Sequence, residues 1–88
     1  MSYIIVHAQF PETTNEERNE IYKNLDSKGW KKIHTIGIDV STIWQLFSAS
    51  PLTSVLMNNA QSDFNECSKK YTKPKLVVHV GPGPAIVI

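Results

Sequence analysis

Cysteine is almost absent from this chain: Cys67 is the only one. No intrachain disulfide can form, a zinc site built from several thiolates is excluded, and a reducing compartment is expected. A dominant charge is missing too. Nine Lys and Arg face eight Asp and Glu, for a net charge of +1, which excludes binding to nucleic acid through bulk charge and leaves only local patches. Long apolar runs are also lacking. The apolar stretch at the N-terminus, Tyr3 to Phe10, is interrupted by His7 and follows no basic leader. It is expected to be neither a signal peptide nor a membrane span, and the chain is expected to be cytoplasmic. No internal repeat, linker or low-complexity segment is present.

What remains is 88 residues, enough for a single domain with a modest core, 1–88, that a partner chain would help to stabilise. In "YIIVHAQF" the even positions Ile4, Val6, Ala8 and Phe10 are apolar or small, whereas Tyr3, Ile5, His7 and Gln9 are mixed. That alternation predicts a strand covered on one side. "PETTNEERNE" supplies a helix start, with Thr13 and Glu16 or Thr14 and Glu17 as a capping box. Ile21, Tyr22 and Leu25 follow as the apolar stripe, and Gly29 as the stop.

"WKKIHTIGID" and "STIWQLFSAS" predict two strands joined around Asp39, Val40 and Ser41. Both faces of the second are apolar, which predicts a central strand. Ser50-Pro51 marks a second helix with Leu52, Val55, Leu56, Ala60, Phe64, Cys67 and Tyr71 at helical spacing. "KPKLVVHV" is a last strand, "GPGP" a turn and hinge, and "AIVI" an apolar tail. The order strand, helix, strand, strand, helix, strand predicts an α+β, ferredoxin-like sandwich with a short C-terminal extra strand. Residues 81–88 are then a hinge and dimerisation tail.

Two helices on one sheet face leave Ile5, His7, Gln9, Ile43, Phe47, Val77 and His79 on the other. So apolar a face predicts a homodimer, packed sheet against sheet or joined by the tail residues Ile86 and Ile88 on an edge strand of the partner. His7 and His79 fall opposite each other or one diagonal step apart. They could hold a transition metal, shuttle protons, or sit inside an interface. No carboxylate shares their face, so no metal site is expected. His34 lies on a distant edge strand of uncertain parity.

Cys67 sits on the apolar stripe and is expected to be core rather than nucleophile. Lys28, Lys31 and Lys32 form one basic cluster, and Lys69, Lys70, Lys73 and Lys75 a second, at opposite ends of the sheet. The second is a weak candidate for a nucleic-acid or partner contact, diluted by Glu12, Glu16 and Glu17, and is otherwise a solvated face. The prolines of "GPGP" remove N–H donors that a phosphate loop needs, and the hydroxyls of "STIWQLFSAS" have no base at a workable spacing. No catalytic residue and no cofactor is assigned.

The segments "SYIIVHAQF", "LDSKGWKKI", "STIWQLFSAS" and "KLVVHVGPG" resemble the small CRISPR-adaptation nuclease family with its VapD-like and GhoS-type relatives. The resemblance covers most of the chain and rests on element order and a Ser-Thr-x-Trp strand. It implies a ferredoxin-like protomer that dimerises, often through an extra C-terminal strand. The nucleases of that family carry an aspartate near the end of the first strand, where this chain has Ala8 or Gln9. Neither replaces a carboxylate at a hard-cation site, and Asp39 is the only acidic residue in the strands and the turn between them. The resemblance thus implies the fold and the dimer and speaks against metal-dependent cleavage. The leading expectation is a small non-catalytic homodimer that binds a protein or RNA, as an antitoxin-like, regulatory or phage-type inhibitory protein does. A metal-independent ribonuclease using His7 or His79, and a dimeric α/β-barrel enzyme or sensor for a small ligand, are the alternatives.

Overall fold

The computed structural model describes residues 2–36, 41–48 and 53–81. Four strands and two helices follow in the expected order: β1 (Ser2–Gln9), α1 (Asn15–Ser27), β2 (Lys31–Ile36), β3 (Ser41–Ser48), α2 (Thr53–Ser68) and β4 (Lys75–Gly81). The architecture is α+β, with one antiparallel sheet in the order β2-β3-β1-β4. The turn around Asp39 and Val40, the helix start at Ser50-Pro51 and the tail with Ile86 and Ile88 lie outside the described residues.

The alternation read in β1 sets the layers. Ile4, Val6 and Ala8 are buried, and so are Thr42 and Trp44 of β3. They meet Ile21 and Leu25 of α1 and Leu56, Ala60, Phe64 and Cys67 of α2 in one core. Rings fill its centre: Phe64 lies 4.9 Å from Trp30 and 6.0 Å from Trp44, and Tyr22 lies 5.4 Å from Trp44. Val55, placed on the stripe by its spacing, is 42 % exposed. The stripe is Leu56, Ala60, Phe64 and Cys67; Val55 precedes Leu56 by one residue, a rotation of about 100° that carries it off the narrow seam.

Local chemistry delimits α1. The Thr14 hydroxyl accepts from the Glu17 N–H at 3.2 Å, and the Glu17 carboxylate accepts from the Thr14 N–H at 2.9 Å, so the second of the two expected capping boxes forms. At the other end Trp30 N–H reaches the Leu25 carbonyl and Gly29 N–H the Asp26 carbonyl. Gly29, at φ +93, occupies the left-handed position that this closure needs. Trp30 then drops onto Leu25, both buried, and the chain enters β2 already anchored to the core. No helix of the described residues is long and apolar enough to cross a membrane.

Candidate functional site: the open sheet face

With both helices packed on one side, alternation turns the odd positions of β1, β3 and β4 outward. Register defines the rows that result. Tyr3 lies between Phe47 and Gly81; Ile5 between Gln45 and His79; His7 between Ile43 and Val77; Gln9 between Ser41 and Lys75. Ile5, His7, Gln9, Ile43, Phe47, Val77 and His79 therefore share one face, as their parity predicts. Phe47 is 50 % and Val77 69 % exposed. Tyr3 and Gln45 belong to this face as well, at the parity of Ile5 and of Ile43, and so do Lys31 and His34, whose side the sequence leaves open.

His34 reaches the face through an irregularity. Lys31 pairs with Gln45 and Lys32 with Trp44, but the register shifts between Lys32 and His34, and His34 pairs with Ile43. One extra residue, Ile33, flips the parity beyond it. Lys31 and His34 thus stand on the open side, while Lys32 turns to the helix side, its ammonium 4.6 Å from the Tyr22 ring centre.

The face has two distinct ends. At one, the Tyr3 and Phe47 rings meet edge to face at 5.1 Å. His79 leans toward the same end: a Cβ added at Gly81 would stand 3.6 Å from its Nε2. His7 and His79 are one diagonal step apart by register, and this lean carries the His79 ring away from Val77, the residue opposite His7. The pair does not converge, and among the described residues no group of three or more His, Cys, Asp or Glu could hold a metal ion. At the other end His7, Gln9, Lys75, Leu76 and Val77 line a shallow hollow of about 170 Å³. There the Gln9 amide donates to the Ser41 hydroxyl at 3.1 Å.

None of the four strands contains an aspartate or a glutamate. Acidic side chains of the described residues all belong to the helices or the turn before α1. The sheet layer is therefore cationic or neutral and the helix layer carries the carboxylates.

The second lysine cluster does not act as a unit. Only Lys75 stands on the open face. Lys69 and Lys73 line a separate hollow of about 300 Å³ with Asn65, Thr72 and Pro74. Lys70 lies 5.3 Å from the Tyr71 ring centre, and the Tyr71 hydroxyl donates to the Glu20 carboxylate. That hydrogen bond raises the Tyr71 pKa, and the bond to Tyr71 raises that of Lys70. A third depression, about 450 Å³, runs between α2 and β4, lined by Ser54, Met57, Asn58, Gln61, Leu76 and Val78. It borders β4, which among the described residues is an edge strand paired with β1.

Cys67 is buried, and desolvation pushes its thiol pKa up, against a smaller pull downward from Lys28. It should react with a neutral-pH thiol reagent roughly tenfold or more slowly in the native protein than in denaturant, because attack must await local opening. Fast labelling of the native protein, counted by mass spectrometry, contradicts this placement.

No family model matches this chain, and neither a curated protein nor a solved structure matches it.

Proposed function

We propose that this chain is a non-catalytic homodimeric binding protein, antitoxin-like or regulatory, that takes a macromolecular partner on its open sheet face. The reading includes a ferredoxin-like identity for the βαββαβ sandwich. The observation that carries the function is the composition of that face: partly buried Ile5, Ile43 and Tyr3 with exposed Phe47, Val77 and three histidines, and no carboxylate on any of the four described strands. A patch of this kind on a small domain marks an interaction surface. General acid–base chemistry with a carboxylate-oriented histidine finds no partner among the described residues of that face.

The homodimer is assigned to the edge rather than the face. Two such faces in contact would set Lys31, Lys75 and the histidines of one copy against those of the other, with no acidic side chain of the described strands between them. Among the described residues β4 is an edge strand, and the groove beside it, with Met57 42 % exposed, offers a strand-sized site instead. "AIVI" supplies a strand of that size. The tail of one copy on the edge of the other occupies the site.

Sedimentation velocity tests the assembly. The wild-type chain should sediment as a dimer, and a truncation ending at Pro82 as a folded monomer. A monomeric wild type, or a truncation that still dimerises, overturns the tail-mediated dimer.

A further inference from the structure

We infer that the partner of the open face is single-stranded RNA, held by base stacking at the Tyr3–Phe47–His79 end and by ribose and phosphate contacts at the Gln9–Ser41–Lys75 end. This rests on the reading above, that the open face takes a macromolecular partner.

Three features of the face select this chemistry. Rings come first. Phe47, Tyr3 and the leaning His79 occupy neighbouring positions across β3, β1 and β4, and Gly81 leaves the floor beside Tyr3 without a side chain. Successive rings on an open sheet are what unstacked bases need, because every base offers a π-face and the backbone beneath is already paired.

Charge comes second. Lys31 and Lys75 stand on the two outer strands, β2 and β4, and no strand carries a carboxylate to repel a phosphate chain crossing between them. Complementarity favours a polyanion over a second copy of this face. With only two lysines, the electrostatic contribution is small, as the net charge requires, and stacking must provide most of the affinity.

The polar end comes third. The Gln9 amide N–H is committed to the Ser41 oxygen, which leaves the amide carbonyl as acceptor and the serine hydroxyl as donor. A ribose 2′-OH is both donor and acceptor, and so complements this pair where a deoxyribose does not. From Tyr3 to Gln9 the strand spans about 20 Å, room for a short run of nucleotides.

Fluorescence anisotropy with labelled oligouridine provides the test, with sedimentation velocity on the same samples. The full chain should bind at low salt, and its affinity should fall with a log–log salt slope near −1.4, about −0.7 for each lysine–phosphate contact. Lys31→Gln or Lys75→Gln should each reduce that slope by about half. Tyr3→Ala and Phe47→Ala should each weaken binding by about 5- to 150-fold. Phe47→Leu, which keeps apolar bulk and loses the ring, should weaken it as well.

Absence of binding by a wild-type dimer overturns the RNA assignment and leaves the dimer standing. Equal affinity for oligodeoxythymidine overturns the choice of RNA over DNA. Binding untouched by both ring substitutions overturns the site. A dimer that falls apart in Phe47→Ala and is retained in Phe47→Leu identifies the face as a self-interface, which overturns both this inference and the reading beneath it.

Discussion

Phe64→Ala should lower stability by about 3–5 kcal/mol, the usual cost of emptying a buried aromatic site. A domain of this size melts about 4–8 °C lower for each kcal/mol lost, so the melting temperature should drop by about 12–40 °C. The reason lies in what Phe64 touches. It is fully buried, and its ring separates the two tryptophans of the core, at 4.9 Å from Trp30 and 6.0 Å from Trp44. Neither tryptophan is free to close the gap. The Trp30 indole N–H donates to the Asp63 carboxylate at 3.0 Å, and the Trp44 indole N–H donates to Thr42 at 2.7 Å. Both rings are tethered by their polar edge, so the cavity persists instead of collapsing. Since single domains have only about 5–15 kcal/mol of net stability, a large unfolded fraction is expected at 37 °C, read as loss of near-UV circular dichroism. Phe64→Leu, which retains part of the volume, should cost less. A Phe64→Ala protein that melts within a few degrees of wild type contradicts this account of the core.

The layers were legible because each signal was local and redundant. In β1 the even positions are all apolar or small, so a single face assignment satisfies the whole strand. The Thr14–Glu17 box and Gly29 mark the two ends of α1 by chemistry that operates within a few residues. β3 was correctly placed in the sheet interior because Trp44 and Leu46 on one side and Ile43 and Phe47 on the other leave no polar face for an edge. Val55 was misplaced for the opposite reason. Leu56 and Val55 are both apolar, and spacing alone does not say which of two adjacent residues centres the seam; packing against Phe64 and Ala60 decides it.

The open face was legible in β1, β3 and β4, where parity is unbroken, and illegible in β2. Plain alternation would seat His34 with Lys32 on the helix side. The extra residue at Ile33 reverses this, and nothing in "KKIHTI" announces it, because an irregularity of register is a property of the pair of strands. Tyr3 and Gln45 share the parity of Ile5 and Ile43 and follow on that signal. The lean of His79 was out of reach for another reason. It depends on the space above Gly81, and a rotamer is chosen by neighbours that only the folded sheet supplies. Hence the sequence located two histidines on one face and the structure separates them: His79 goes to the aromatic end and His7 to the hollow with Gln9 and Lys75.

Thr42→Val separates the core from that face. Thr42 is fully buried in β3. Its hydroxyl accepts the Trp44 indole N–H at 2.7 Å and, with Arg18, draws down the pKa of the Tyr22 phenol that burial raises. Valine reproduces the shape and is a better strand former, so any loss measures the hydroxyl. The indole N–H is left in the core without an acceptor, at a cost of about 1–3 kcal/mol, or about 4–24 °C in melting temperature. In a double-mutant cycle, Trp44→Phe should cost less in the Thr42→Val background than in wild type, because the donor that lost its acceptor is gone too. Additive losses contradict the bond. Thr42 and Phe47 stand on opposite faces of the same strand, so at a temperature where Thr42→Val stays folded its affinity for oligouridine should equal that of wild type. A loss of binding there, without unfolding, means the core chemistry of β3 reaches the ring platform, and the two faces of the sheet do not act independently.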